Sequence, residues 1–335
     1  MYRVVITDCI EPPAVVEGNA LSDIATVECL EAKSTEALRG KLVDANAIIL
    51  YHEVDLTSEL IRELKQCQVI VRGGVGYDNV DLKLAGKLGL PVCNVPDYGI
   101  DEVADHAIGM MLNCLRGFTL AERRFRKATT LLPWDRHDVG KVLRTGDCTL
   151  GIIGCGRIGA AAALRAKALK MRVIVYDPYL RPGIEKVYGV ERVGFEYLLK
   201  ESDVVSMHTP LTEETHHMIG AEALAQMKPT AYLINTARGV VVDTSALAEA
   251  LRERRIAGAG IDVLPNEPPS LDDPLIQLWQ ADLDPPINLT ITPHTAYYSE
   301  AALMEIREKS SAEVARVLRG EKPWNVVNGE WLKRE

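Results

Sequence analysis

Residues 150–165 read LGIIGCGRIGAAAALR. The apolar run 150–153 is typical of a buried strand, and the alanine-rich run after the glycines is typical of a helix. Between the two runs, Gly154, Gly156 and Gly159 have the GxGxxG spacing. The first glycine permits a tight turn, the second lets the backbone approach a pyrophosphate, and the third lets the helix pack closely on the strand. The stretch predicts the strand, turn and helix that open a dinucleotide-binding α/β sheet.

An acidic residue ends the next apolar run. Residues 173–176 read VIVY and lead into Asp177, which lies 18 residues after Gly159. A carboxylate at this place accepts hydrogen bonds from the ribose hydroxyls of an adenosine and repels a 2′-phosphate. The alternative is an ordinary glycine turn followed by an aspartate that caps a strand. The combined pattern favours a bound dinucleotide, and NAD over NADP.

Short apolar runs alternate with helical stretches along the whole chain. They lie at 4–7, 47–51, 69–71 and 92–95, and again at 150–153, 173–176, 204–207, 232–235, 260–263 and 289–292. Runs rich in Val and Ile that do not alternate with polar residues suit strands buried on both faces. Strand and helix in alternation predict a doubly wound parallel sheet. Because there are two series, and 335 residues exceed one ordinary core, we expect two α/β domains.

Composition excludes several classes of protein. The net charge of −9 disfavours nucleic acid as a ligand, and the basic run 123–127 is more typical of a solvated helix face than of a binding patch. The seven cysteines are scattered without a CxxC pair, so that neither a disulfide framework nor a metal site is predicted. No apolar stretch reaches the roughly 20 residues of a membrane span. The N-terminus is typical of a strand and not of a signal peptide, and we expect a cytoplasmic protein.

Three chemically distinctive side chains follow separate predicted strands. Arg238 follows the run 232–234, Glu267 follows 260–263, and His294 follows 289–291. Ligands of open α/β sheets bind beyond the carboxyl ends of the strands. Taken singly, the arginine is more often a surface salt-bridge partner, the glutamate a loop carboxylate and the histidine structural. Together they offer a planar fork for a carboxylate, a group that exchanges a proton, and an acid that orients that group.

Further motifs complete the pattern. They are GVGYDNVD at 74–81, NVP at 94–96, NTARG at 235–239, NEP at 266–268 and PH at 293–294. With the glycine turn they span nearly the whole chain, and the sequence resembles the D-isomer-specific 2-hydroxyacid dehydrogenase family. Within that family it is most similar to the branch of the C-terminal-binding-protein corepressors, through IVR at 70–72, DPYL at 177–180, His208 and PHTAYYSE at 293–300. Tyr297 stands where that branch usually has a tryptophan, which leaves the substrate open.

The resemblance implies a particular domain organisation. A Rossmann-type coenzyme domain at 100–299 would be inserted into a flavodoxin-like substrate domain formed by 1–99 and 300–335. Two crossings between the domains would suit closure around a substrate. The helix from Asp101 and the segment 129–147 resemble the dimerisation region of the family, which implies a homodimer. The segment 271–286 is expected to be either a plain surface loop or a contact with the partner subunit.

The resemblance also assigns roles to individual residues. Arg238 would bind the carboxylate of a 2-ketoacid and polarise its carbonyl, His294 would donate a proton to the carbonyl oxygen, and Glu267 would hydrogen-bond His294. The cofactor would contact Gly154, Gly156, Arg157, Ile158, Gly159, Asp177, Thr209, Thr236, Ala237, Arg238, Asp262 and His294. The substrate would contact Tyr51, Arg72, Val75, Gly76, Arg238, Tyr297 and Ile306. Arg72 could hold a second anionic group of the substrate or steady the first.

Two functions fit these residues. The first is NAD-dependent reduction of a 2-ketoacid to a D-2-hydroxyacid. The second is an NAD(H)-sensing dimer that recruits peptide partners, as the corepressor branch does, because that branch has the same arginine, glutamate and histidine. Corepressors typically carry extra flexible sequence, whereas this chain ends soon after Trp331. We therefore expect the enzyme.

Overall fold

The chain divides into two compact units. The computed structural model describes residues 1–127, 142–281, 283 and 285–332. One unit is Met1–Gly99 with Ser299–Glu335, and the other is Ile100–Tyr298, which is inserted between those two segments. Ser299 lies in the first unit, whereas the sequence placed it in the second. The reason is that its hydroxyl accepts a hydrogen bond from the N–H of Ala302, at 3.0 Å, and so caps the last helix.

The first unit contains a parallel sheet of five strands. The strand order is β2-β1-β3-β4-β5, with all neighbours parallel, which is the flavodoxin-like order. The strands are β1 (Tyr2–Ile6), β2 (Ala25–Cys29), β3 (Ala47–Leu50), β4 (Val69–Arg72) and β5 (Val92–Asn94). The helices are α1 (Val15–Leu21), α2 (Ser58–Glu63), α3 (Leu82–Lys87) and α12 (Glu300–Leu318). Every residue of β3 and β4 is buried, as their apolar runs predict.

The second unit contains a parallel sheet of seven strands. Its order is β12-β11-β10-β9-β6-β7-β8, and all neighbours are parallel. The strands are β6 (Thr149–Ile153), β7 (Arg172–Tyr176), β8 (Glu191–Arg192), β9 (Val204–Met207), β10 (Tyr232–Asn235), β11 (Gly258–Ile261) and β12 (Asn288–Ile291). The order reverses at β6, which has β7 on one side and β9 on the other. Ligands of such sheets bind at this reversal.

Helices pack on both faces of the second sheet. They are α4 (Ile100–Arg116), α5 (Phe118–Lys127), α6 (Arg157–Ala168), α7 (Ile184–Tyr188), α8 (Phe195–Glu201), α9 (Ala221–Gln226), α10 (Thr244–Arg252) and α11 (Pro274–Gln280). Ile152 packs in one apolar cluster with α4 and α6, and Ile153 packs in another with α8 to α11. Successive residues of a strand face opposite sides of a sheet, so both layers belong to the core. The predicted α/β class with a Rossmann-type unit is confirmed.

One predicted segment lies mostly outside the described residues, and another contains a helix. Residues 128–141, most of the predicted dimerisation segment 129–147, lie outside the described residues, and the homodimer stays a prediction. The segment 271–286 is not a plain loop, because it contains α11. Asp273 caps this helix by accepting hydrogen bonds from the N–H groups of Leu275 and Ile276, and Leu278 is buried with both of them. Residues 282 and 284 also lie outside the described residues.

Among the residues that the structure describes, no helix is long and apolar enough to cross a membrane.

Candidate active site

The glycine turn has the geometry that its spacing predicts. Gly154 follows β6 with a φ of +89°, a conformation that favours glycine. A β-carbon on Gly159 would lie 2.0 Å from the carbonyl oxygen of Gly154, so only glycine fits at this contact. A β-carbon on Gly156 would meet no atom of the chain within 4 Å. The turn therefore needs Gly154 and Gly159 for its own packing, while the space at Gly156 is open to a ligand.

Asp177 lies directly beside this turn. One of its carboxylate oxygens accepts a hydrogen bond from the N–H of Cys155, and the other from the N–H of Tyr179, both at 2.9 Å. The first bond ties the end of β7 to the glycine turn after β6. The carboxylate is thus held at the place where an adenosine ribose of a dinucleotide on this turn is expected.

Several polar groups around the reversal of strand order suit a bound dinucleotide. The hydroxyl oxygens of Thr209, after β9, and Thr236, after β10, are buried and have no hydrogen-bond partner among the described residues. Buried hydroxyls normally find a partner, so these two fit a ligand with donors or acceptors. Arg157 and Ile158 form the first turn of α6, whose N–H groups and dipole favour a phosphate. The residues present therefore fit NAD.

His208 adds a neutral imidazole to the same region. Its Nε2 shares a hydrogen bond with the hydroxyl of Ser206, at 2.9 Å. Burial lowers the pKa of His208 to about 4, since the protein interior disfavours the charged ring. The side chain is therefore uncharged at neutral pH, and it contributes no positive charge to the cofactor site.

Arg238 belongs to a turn that is built by Asn235. The Asn235 side chain accepts a hydrogen bond from the N–H of Ala237 and donates one to the carbonyl of Arg238, both at 3.0 Å. The guanidinium of Arg238, which is half-buried, donates to the carbonyl of Ala237 at 2.8 Å. The next residue, Gly239, packs so closely on the backbone of Leu264 that a β-carbon would lie 2.0 Å from its carbonyl carbon. The Arg238 turn thus lies against the loop that follows β11.

Glu267 and His294 form a direct pair. Nδ1 of His294 and Oε2 of Glu267 are 2.6 Å apart. The other oxygen of Glu267 accepts a hydrogen bond from the N–H of Leu264, at 2.8 Å. The three side chains of the predicted set follow β10, β11 and β12, which are neighbours in the sheet. The structure therefore joins the glutamate to the histidine and places the arginine on the adjacent turn.

The backbone of His294 has a φ of +52°, which is uncommon for a residue with a side chain. Its N–H donates to the carbonyl of Asp262 at 2.8 Å. The ring of Tyr297 lies edge-on to the His294 ring, with the centroids 6.0 Å apart. A positive φ at such a residue costs on the order of 1–3 kcal/mol and persists only where the surroundings hold the backbone in place.

Asp262 is buried, and its carboxylate bonds to the His294 loop. It accepts hydrogen bonds from the Thr292 hydroxyl and from the N–H groups of Thr295 and Ala296. Thr292 also contacts Nε2 of His106 on α4, at 3.0 Å. Asp262 was predicted to contact the cofactor, and neither Thr292 nor His106 was predicted to belong to the site. The signal for them was weak, because a lone histidine in an amphipathic helix has no characteristic spacing.

Comparison with known proteins identifies the family. The family model described as D-isomer specific 2-hydroxyacid dehydrogenase, NAD binding domain, matches residues 108–296. A glyoxylate reductase of Korarchaeum cryptofilum is 40% identical over 306 residues, which cover 90% of this chain and 88% of the relative. The chain belongs to the D-isomer-specific 2-hydroxyacid dehydrogenases. It is accordingly an NAD-dependent oxidoreductase, and the predicted cofactor, NAD, is confirmed.

Two other relatives agree with this family. A D-3-phosphoglycerate dehydrogenase of Methanocaldococcus jannaschii is 35% identical over 329 residues, which cover 98% of this chain and 60% of the relative. The crystal structure of a D-lactate dehydrogenase of Aquifex aeolicus, complexed with NAD and lactic acid, has a TM-score of 0.85 at 33% identity and covers 95% of this chain and 96% of that one. The finer resemblance to the corepressor branch stays a prediction.

The remaining predicted substrate residues of this dehydrogenase lie mostly in the first unit. Tyr51 follows β3 and Arg72 ends β4, which is the next strand in the sheet, and both side chains are buried. Both contact Gly73: the arginine donates to its carbonyl at 3.1 Å, and a β-carbon on it would lie 2.6 Å from the tyrosine ring. The carbonyl of Val75, which precedes Gly76, accepts a hydrogen bond from Asn94. Ile306 is buried on α12.

Proposed function

We propose that this dehydrogenase reduces a 2-ketoacid to the D-2-hydroxyacid with NADH, using Arg238 to bind the carboxylate and His294 to supply the proton. The observation that supports this most directly is the 2.6 Å contact between His294 and Glu267 beside the Arg238 turn. A histidine oriented by a carboxylate is a common proton donor and acceptor near neutral pH.

Arg238 binds the carboxylate of the substrate. Its guanidinium presents a planar set of donors that matches a carboxylate with two parallel hydrogen bonds. The Asn235 side chain holds the backbone on both sides of the turn, so the arginine starts from an ordered position. The same charge polarises the neighbouring ketone carbonyl, because the oxygen gains negative charge during reduction.

His294 transfers the proton. Glu267 contacts Nδ1, so Nε2 on the opposite side of the ring is the atom that donates the proton to the carbonyl oxygen. NADH, when bound, would supply the hydride that the carbonyl carbon accepts, so that the hydroxyacid and NAD⁺ would be the products. In the reverse direction Nε2 accepts the hydroxyl proton. Glu267 orients the ring through its contact with Nδ1.

The cofactor is held by the groups around the glycine turn. Gly156 leaves room for the pyrophosphate, and the first turn of α6 faces it with its N–H groups. Asp177 accepts hydrogen bonds from the ribose hydroxyls, and its negative charge repels the 2′-phosphate of NADP. We assign Thr209, Thr236 and Ala237 to the same ligand, since the two hydroxyls are buried without a partner among the described residues.

Short 2-ketoacids are the first substrates to test. The relatives are named for glyoxylate, lactate and phosphoglycerate, which share a carboxylate next to a hydroxyl or carbonyl carbon. We propose that Tyr297, whose ring lies edge-on to the His294 ring, helps to select the size of the substrate. The predicted substrate contacts in the other unit, namely Tyr51, Arg72, Val75, Gly76 and Ile306, stay predictions.

Replacing Arg238 by lysine tests the carboxylate contact. Lysine keeps the positive charge but cannot form two parallel hydrogen bonds. We expect kcat/KM for 2-ketoacids to fall by roughly 10- to 100-fold, mostly through KM, because charged hydrogen bonds contribute about 1.5–3 kcal/mol. The measurement is steady-state NADH oxidation, together with NADH binding by fluorescence, which should not change.

A matched control is Arg172→Lys, which changes an exposed arginine paired with Glu191 in the same unit. It should leave kcat/KM unchanged. If Arg238→Lys behaved like this control, the carboxylate assignment would be wrong.

A further inference from the structure

The loop that carries His294 is attached to one buried carboxylate. Asp262 is 1% exposed, and its two oxygens accept hydrogen bonds from the hydroxyl of Thr292, the N–H of Thr295 at 2.9 Å and the N–H of Ala296 at 3.0 Å. The N–H of His294 donates to the main-chain carbonyl of the same aspartate. Four hydrogen bonds from residues 292–296 therefore converge on one residue at the end of β11.

This arrangement explains how His294 keeps its unusual backbone conformation. The φ of +52° is unfavourable for a histidine, and the bonds to Asp262 come from both sides of it along the chain. A buried carboxylate also loses its hydration and must be compensated by donors, so all of these bonds are needed together. Removing one donor should therefore loosen the loop as a whole.

The array continues to α4 through Thr292. The Thr292 hydroxyl donates its hydrogen to Asp262, so its oxygen must accept the hydrogen of Nε2 in His106, at 3.0 Å. The same nitrogen lies 3.6 Å from the Asp262 carboxylate. His106 thus links the loop to a helix of 17 residues that packs on β10, β11 and α6.

We propose that Asp262, Thr292 and His106 form a positioning array that holds His294 in its proton-transfer orientation. The proposal rests on the function proposed above for His294. None of the three needs to touch the substrate. Asp262 was predicted from the sequence to contact the cofactor, whereas its described hydrogen bonds are directed at the His294 loop.

The central test is Thr292→Val, with Thr290→Val as the matched control. Thr290 lies two residues earlier and accepts a hydrogen bond from Asn113 of α4, at 2.8 Å, so it also joins this helix to the β12 region but has no bond to Asp262. We expect kcat of Thr292→Val to fall about tenfold, since small misplacements of reacting groups are costly. Thr290→Val should keep the parent kcat, and Thr292→Ser should restore it.

His106→Leu and Asp262→Asn extend the test. The loss in the double variant His106→Leu/Thr292→Val should be no larger than in Thr292→Val, because both changes break the same link. Asp262→Asn should lose about 100-fold in kcat. In all of these variants the dissociation constant of NADH should stay within about twofold of the parent, and the isotope effect with 4-deuterated NADH should rise, as the chemical step becomes slower than product release.

Three outcomes would overturn the proposal. The first is an equal loss in Thr290→Val and Thr292→Val, which would indicate general helix packing. The second is Thr292→Val with the parent kcat. The third is weaker NADH binding with an unchanged kcat in Asp262→Asn, which would indicate that Asp262 contacts the cofactor. Should Asp262→Asn not fold, the threonine pair still decides. Full turnover in a variant lacking the His294 ring would contradict the proposed function instead.

Discussion

We expect replacement of His294 by asparagine to lower kcat for ketoacid reduction by about 10²- to 10⁴-fold, the usual contribution of a positioned proton donor. Asparagine is the chosen substitute because it tolerates the positive φ of this position, so the loop can keep its conformation without the imidazole. NADH binding should remain within a few-fold of the parent value. The measurement is single-turnover NADH oxidation at saturating ketoacid, with the dissociation constant of NADH determined separately.

His216→Asn is the matched control, because His216 is an exposed histidine of the same unit that stacks on His217. It should keep the parent kcat. Glu267→Gln should lower kcat by less than His294→Asn does. The double variant should have a kcat no lower than that of His294→Asn, since the two residues act as a unit. If His294→Asn had the kcat of the parent protein, His294 would not be the proton donor.

Two alanine substitutions in the glycine turn should have opposite effects. Gly156→Ala should fold with at least the parent stability, because its φ of −73° suits alanine and a β-carbon meets no atom within 4 Å. The added carbon occupies the space where the pyrophosphate approaches. We therefore expect NADH binding to weaken about 100-fold, or roughly 2.7 kcal/mol. Thermal unfolding and fluorescence titration with NADH measure the two quantities.

Gly159→Ala should instead destabilise the fold by about 3 kcal/mol or more, because its β-carbon would lie 2.0 Å from the Gly154 carbonyl oxygen, which belongs to the backbone and cannot move aside cheaply. This contrast separates the two reasons for a glycine in one motif. Normal NADH affinity in Gly156→Ala would show that the cofactor does not lie on this turn.

The elements and their class were largely predictable from the sequence. Buried parallel strands have continuous runs of Val and Ile, and β6 with its glycine turn has a spacing that few other structures need. The helix α11 was not predicted, because it has only seven residues. Its start was nevertheless marked, since Asp273 is followed by Pro274, a pair that commonly begins a helix.

The hydrogen bonds that hold the His294 loop could not be predicted from the sequence. Thr292, Thr295 and Ala296 are 30 to 34 residues from Asp262, and they meet it only because β11 and β12 are adjacent in the sheet. His106 comes from a helix far earlier in the chain. A single sequence contains no pattern for such contacts, because they depend on tertiary packing and not on local spacing.

The proposed reduction of a 2-ketoacid to a D-2-hydroxyacid is tested most directly on the unmodified protein. NADH oxidation is followed with a panel of 2-ketoacids, and the enantiomers of the hydroxyacid product are then separated. We predict turnover with at least one ketoacid that depends on NADH, and a product of the D configuration. Tight NADH binding without turnover of any ketoacid, or a product of the L configuration, would contradict the account.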